Sequence, residues 1–408
     1  MDIYLNLIPD IRDIVAGYFG DVIFLQTQDE VNKARDKVTF ATAEEFKKSK
    51  ATDCIFINFE IISTDQLNNP DIPITLLNCS GVPKIKTHTL AWVFSKSQFN
   101  NDISQWNVSN VTNMQDMFYE SKFNGDISKW DVSSVTNMES VFSDAQFNGD
   151  ISKWDVSSVT NMESMFNKSQ FNGDISRWNV SSVQNMNGMF DSSKFNGDIS
   201  QWDVLNVTNM EFIFSKSQFN GDISQWDVSS VNNMKYMFYK SKFNGDISQW
   251  DVSSVMNISY MFYNSQFNGV ISQWDVSSVM YMEDMFHRSA FDGDLSQWDV
   301  SSVTNMYRMF DMSKFNGDIS QWDVSSVTNM YRMFDRSKFN GDISQWNVSS
   351  VTDMGDMFNN SQFSGDLSQW DVSSATDTES MFCNSKIKKE TVQSWDNFKN
   401  HNINEMFE

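Results

Sequence analysis

The side chains able to do acid–base or metal chemistry are few and scattered. Histidine occurs only at His88, His287 and His401, and cysteine only at Cys54, Cys79 and Cys383. None falls at a zinc spacing or in a disulfide framework, so the thiols are expected to be reduced and partly buried. No phosphate-cradling glycine loop and no nucleophile elbow occurs. Carboxylate at fixed intervals is what the chain holds in quantity. Asp126 and Asp131 each return every 24 residues, with Val270 replacing the first and Asn107, Asn179 and Asn347 the second. Stacked carboxylates about 5 Å apart repel, which predicts raised pKa values for the Asp131 column. Oxygen ligands suit Ca²⁺, but one column supplies too few of them, and the GGxGxDxUx calcium repeat is absent. Hydrogen bonds to nearby backbone and side chains are the expected role, with Asp126 and its equivalents capping turns. Stacked aspartates could also serve a polysaccharide-cleaving enzyme. That requires a local break gathering acids and bases, and the main lapse there, Val270, removes a charge. The residues predict a protein that is not an enzyme and holds neither metal nor cofactor.

These aspartates are positioned by a repeat. Phe99 begins a pattern that returns at Phe123, Phe147, Phe171 and onward to Phe363, twelve copies at a strict spacing of 24 residues. A fixed period of this size signals a solenoid, in which each unit buries its apolar face against its neighbours. In the copy starting at Phe123 the apolar residues are Phe123, Ile127, Trp130, Val132, Val135, Met138, Val141 and Phe142. Ile127-x-x-Trp130-x-Val132 has leucine-rich-repeat spacing, and Trp130-Asp131-Val132 alternates as a short strand. Met138, Val141 and Phe142 suit one helical or 3-10 turn. Gly125 is expected to make a tight turn between coils, where Asn101 of the first copy tolerates the same backbone. The prediction is a β-rich solenoid: a leucine-rich-repeat-like parallel coil with one short strand and one helical or 3-10 turn per 24-residue repeat. The Trp130 and Phe142 columns, filled by Trp and Phe in all twelve copies, should form ring stacks inside it.

The repeat decays at both ends. Leu90, Val93 and Phe94 match Met138, Val141 and Phe142, so a degenerate coil begins near residue 75. At the other end Thr378 replaces Met, Ile387 replaces Phe, and Trp395 comes one residue late. Open coil ends expose core and must be covered. The expected organisation is an N-terminal α+β cap (1–74), a solenoid (75–386) and a C-terminal cap (387–408). In the first, Leu7, Ile8, Ile11, Ile14, Val15, Tyr18 and Phe19 fit an amphipathic helix, and the run from Cys54 to Phe59 reads as a strand.

Positions that vary between copies flank the expected helical turn. Middle and late coils place Tyr236, Tyr239, Tyr260, Tyr263, Tyr307, Arg308, Tyr331, Arg332 and Arg336 there, with His287 and Arg288 between them and Tyr281 beside the stripe. Tyr and Arg are enriched at interface hot spots, so these residues are the candidate partner-binding surface. A purely structural role, shielding the Met/Phe layer and pairing with acids, accounts for the same residue types. The partner is expected to be a protein of unknown identity. A net charge of −23 argues against nucleic acid and against anionic membranes. The chain is expected to be a monomer or a weak homo-oligomer.

The unit FNGDISKWDVSSVTNMESMF resembles the BspA-like leucine-rich-repeat family found in mycoplasma and other bacterial surface proteins, with relatives in giant DNA viruses. The resemblance covers about residues 85–385. It implies a leucine-rich-repeat-like solenoid, a role in adhesion or protein binding, and no catalytic residues. No basic, apolar leader precedes the repeats here, which predicts a cytoplasmic or virion-associated protein, a giant-virus member serving as a binding module or an assembly component. The opening residues Leu7 to Arg12, with Pro9 among them, resemble an F-box helix, which would imply a ubiquitin-ligase adaptor.

Overall fold

The computed structural model describes residues 23–25, 53–55, 60–61, 79–80, 84–85, 88–100, 102–397 and 403–408. It divides into two compact units, Met1–Val183 with Ser193–Phe195, and Gln184–Ser192 with Asn196–Glu408. From residue 88 onward, the described residues of each unit up to the C-terminal helices form a stack of 24-residue coils.

In the first unit, the coil from Phe123 to Gln146 shows how such a sequence closes. Trp130 N–H bonds Ile127 O at 3.1 Å and Val135 N–H bonds Val132 O at 2.9 Å, making two successive corners. From Met138 onward the amides split into two sets. Val141, Ser143 and Ala145 close turns onto the carbonyls of Met138, Ser140 and Phe142. Met138, Ser140, Phe142 and Asp144 instead donate across to Asn161, Glu163, Met165 and Asn167 of the next coil, at 2.9, 2.8, 3.0 and 2.7 Å. A helix keeps all its amides within its own segment. The helical or 3-10 turn expected here is therefore replaced by a chain of turns that doubles as an inter-coil ladder. The i, i+3, i+4 apolar spacing reflects turn geometry.

The expected strand is displaced as well. Residues 130–132 make no ladder. The parallel bridges run instead through Asn113, Asn137 and Asn161, and Thr136 N–H bonds Thr112 O at 2.8 Å. Trp130 and Val132 alternate with Asp131 because they flank the corner between Ile127 and Val135, and not because they sit in a sheet.

Glycine is also used differently from the expectation. The Gly125 column has no positive φ; among described glycines only Gly188 does. The column needs glycine for room: a Cβ on Gly149 would lie 2.9 Å from Phe147 Cε2. The left-handed positions are Ser140 (φ 54°) and Asp144 (φ 52°), and all their described equivalents except Gly188 hold full side chains. Left-handed backbone costs roughly 1–2 kcal/mol for such residues, and the ladder bonds donated by Ser140 and Asp144 hold it.

The core is rings and methionine. Phe118, Phe142 and Phe166 stack at 5.7 and 5.8 Å, and Phe142 faces Phe147 at 4.3 Å. Burial of each such ring contributes about 2–3 kcal/mol. The indoles lie inside too, and Trp130 Nε1–H donates to Ile103 O at 3.1 Å, so its polar atom is satisfied. Leu90, Val93 and Phe94 are fully buried, and Phe94 stacks on Phe118 at 5.5 Å, so a coil precedes the first regular copy. Before it, β1 (Ile23–Leu25), β2 (Asp53–Ile55) and β4 (Cys79–Ser80) form one sheet in the order β1-β2-β4. β3 (Glu60–Ile61) pairs with β5 (Lys84–Ile85). The backbone register sets Cys54 opposite Cys79. The helix expected over Leu7–Phe19, with its F-box likeness, lies outside the described residues.

The second unit repeats the same plan. Met234, Tyr236, Phe238 and Lys240 donate to Asn257, Ser259, Met261 and Tyr263 at 3.0, 3.0, 3.1 and 2.8 Å. Its end is covered by a 3-10 helix, Lys389–Asn397, and a short helix α1, Ile403–Phe407. Ser380 and Phe382, whose amides would face a missing coil, donate to Glu405 O and Met406 O at 3.0 and 2.7 Å. Trp395, one residue late in sequence, still enters the indole column 6.4 Å from Trp370. Among the described residues no helix is long and apolar enough to cross a membrane.

Candidate interaction surface

The aspartate columns cap the corners. Asp131 Oδ1 accepts Ser133 N–H at 3.1 Å and Ser133 Oγ–H at 2.6 Å, and Asp126 Oδ1 accepts Ser128 N–H at 2.9 Å. These bonds favour the charged form. They hold Asp155, Asp227 and Asp275 below the usual carboxylate range, the serine side-chain bond leading. The pKa rise expected from stacked repulsion is corrected: local hydrogen bonds outweigh repulsion across solvent.

A further column, Asn124, forms an exposed ladder that the sequence reading missed. Asn148 N–H bonds Asn124 Oδ1 at 2.8 Å, and in the second unit Asn244 bonds Asn220 in the same way at 2.8 Å. Its signal was a polar residue kept as Asn in ten of the twelve copies, with Asp292 and Ser364 in the other two.

The tyrosine and arginine stripe lies wholly in the second unit, on the turns that carry the inter-coil ladder. Because its side chains leave from left-handed or adjacent positions, they stand side by side on successive coils. Phe212, Tyr236 and Tyr260 stack at 4.5 and 4.4 Å. Tyr239 lies 4.8 Å from Tyr263, and Tyr263 lies 4.5 Å from His287. Lys240 sits over Tyr239 at 5.0 Å and Lys235 over Tyr236 at 5.1 Å, geometries favourable to cation–π attraction.

Beyond Tyr263 the stripe becomes ionic. His287 is fully buried and its Nδ1 lies 3.0 Å from Asp311 Oδ2 and 3.7 Å from Asp284 Oδ1. Arg308 reaches in with Nε 2.8 Å from Asp311 and Nη1 3.7 Å from Asp284. Neither Asp284 oxygen accepts a hydrogen bond of good geometry. Burial pushes the Asp284 pKa up to about 6 against the pull of Arg308 and His287. Burial, then Asp311, does the same to Asp335. Tyr260 is raised by burial, then by the charge of Asp284. For Arg308, burial opposes the charge, but the bond to Asp311 and the fields of both aspartates raise its pKa overall.

Further along, Arg332 Nη2 and Tyr331 Oη contact Asp356 Oδ2 at 2.9 and 3.2 Å, and Tyr307 stacks on Tyr331 at 5.4 Å.

The candidate surface residues thus fall into two groups. Tyr236, Tyr239, Tyr260, Tyr263, Tyr307, Tyr331, Arg308 and Arg332 are half-buried and engaged with neighbours, while Tyr281, Arg288 and Arg336 are exposed. Arg288 Nε touches Met312 Sδ at 3.0 Å, and Arg336 Nε lies 3.7 Å from Asp335. The structure adds Met256 and Met280, exposed by 44% and 36% beside Tyr281 at 41%. Both stand where most copies have Thr, and that break in the column is the signal that could have found them.

The model of the family described as "Mycoplasma protein of unknown function, DUF285" matches residues 88–194, 169–266, 191–288, 240–338 and 311–408. No curated protein and no solved structure gives a significant match. Overlapping matches of this kind are what a register of identical 24-residue coils produces, and together they run from residue 88 to residue 408. The chain therefore belongs to this Mycoplasma-type, BspA-like repeat family.

Proposed function

We propose that this chain is a non-enzymatic repeat protein whose coils present an extended surface to a protein partner. The observation that carries the reading is the pair of tyrosine stacks, Tyr236–Tyr260 and Tyr239–Tyr263, standing half-exposed on successive coils with Lys240 beside them. Rigid aromatic faces ordered before binding lose little entropy on association. The buried ionic cluster around His287 is read as packing, because its charged atoms meet each other rather than a cavity.

The test is capture with the tagged full chain as bait, comparing the native protein with Tyr239→Ser/Tyr263→Ser. Serine occupies this position in other copies, as at Ser143 and Ser215, so the fold tolerates it. Stoichiometric recovery of a discrete protein by the native chain, reduced with the variant, supports the reading. Recovery only with intact particles would favour an assembly component, and equal recovery by both chains would remove the tyrosine stacks from the interface.

A further inference from the structure

Three neighbouring positions in the second unit give up bonds that their columns make elsewhere. The Thr136 column places its hydroxyl on the carbonyl one coil back, as Thr304 does to Met280 O at 3.3 Å, Thr328 to Thr304 O at 3.2 Å and Thr352 to Thr328 O at 3.0 Å. Met256 and Met280 have no hydroxyl to give. The Asn137 column accepts the amide two residues on, as Asn257 does from Ser259 at 2.9 Å and Asn305 from Tyr307 at 3.0 Å. The Tyr281 side chain has no carbonyl oxygen for this.

The three are contiguous. Met280 N–H bonds Met256 O at 3.0 Å, and Asn257 bridges Tyr281. Each exchange trades a stabilising contact for an apolar side chain in water. Departures from local consistency that carry no structural gain concentrate at functional sites. Methionine adapts its shape to a partner and tyrosine anchors one.

The surroundings choose the partner. Residues 243–287 contain no Lys or Arg but include Asp246, Asp251, Asp275, Glu283 and Asp284. Of these, Asp251 and Asp275 are exposed and Glu283 is half-buried, while Asp284 is buried. An apolar patch whose two coils carry the exposed carboxylates of Asp246, Asp251 and Asp275 against one cation, Arg288, complements an apolar side chain flanked by cations and disfavours an acidic one. The geometry points to Met256, Met280 and Tyr281 as the docking site for a basic segment of a partner protein, one carrying a large apolar residue between lysines or arginines. This rests on the partner-binding reading above and deepens it.

The experiment restores the repeat with Met256→Thr/Met280→Thr/Tyr281→Asn and measures binding of short synthetic peptides. One set has a central leucine or phenylalanine flanked by arginine and lysine, the other the same centre flanked by aspartate and glutamate. The expected result is salt-sensitive binding of the basic set to the native chain, at least about tenfold weaker in the restored variant, with its thermal midpoint unchanged or raised. Unchanged binding by the restored variant overturns the inference, as does equal binding of the acidic set, or no peptide binding at all. A concentration-dependent dimer in sedimentation that the restored variant loses overturns it in favour of a second copy as occupant. If the inference fails while Tyr239→Ser/Tyr263→Ser still reduces partner capture, the broader function stands and only this site falls.

Discussion

The indole N–H of Trp274 donates to the backbone carbonyl of Ile247, 27 positions earlier in the chain, at 3.0 Å. The ring itself stacks between Trp250 and Trp298 at 6.5 and 6.4 Å. One residue therefore both fills the core and ties two coils together. Trp274→Phe removes the donor and leaves a gap, and is expected to cost about 2–4 kcal/mol in denaturant unfolding.

Gly221→Ala should destabilise through crowding. Its Cβ would sit 2.9 Å from Phe219 Cε2 and 3.5 Å from Gly197 O. The Phe219 ring is fully buried and packed 4.2 Å from Phe214, so it cannot swing away. A loss of roughly 1–3 kcal/mol is expected by chemical denaturation. A stabilising effect would mean that the ring has room.

Arg308→Ala should be far more damaging than Arg336→Ala. The first strips Asp284, His287 and Asp311 of their bridging cation inside the unit, a loss of roughly 3–5 kcal/mol for a buried charge left unpaired. The second removes an exposed side chain and should change stability by under about 0.5 kcal/mol. Paired thermal melts compare the two directly.

These contrasts show where sequence alone could and could not read the molecule. The 24-residue period, the inward Trp130 and Phe142 columns and the coil at Leu90–Phe94 were legible because repetition averages away context. The strand and helix expected within each copy were not. Apolar spacing at Met138, Val141 and Phe142 is the same for a helix as for turns whose alternate amides reach the next coil. The spacing makes Gly125 look like a turn residue, because the ring that crowds this column, as Phe147 crowds Gly149, meets the glycine only in three dimensions. Tyrosine and arginine were recognised as unusual, but their stacking and ion pairing depend on which residue stands one coil away. Met256 and Met280 escaped notice because methionine is ordinary in this chain; only the Thr136 column makes them odd.

Asp335→Asn should stabilise the protein at neutral pH. The Asp335 carboxyl is raised to about 6 in the fold from 3.8, by burial first and then by Asp311. Between those values the folded chain holds a proton that the unfolded chain has lost, so stability falls as pH rises from about 4 to about 6. The variant lacks this loss. Urea midpoints should therefore agree near pH 4 and diverge in favour of Asp335→Asn up to pH 6, remaining apart above it.

The stacked fold depends most on the ladder that makes the turns of one coil the partners of the next. Residue-resolved amide hydrogen exchange tests it directly. The amides of Phe238 and Phe262, which donate to Met261 O and Met285 O at 3.1 and 3.0 Å, should exchange orders of magnitude more slowly than that of Ser248, which meets only the exposed Asp246 side chain. Equal, fast exchange at all three would contradict the stacked-coil architecture and every surface assigned on it.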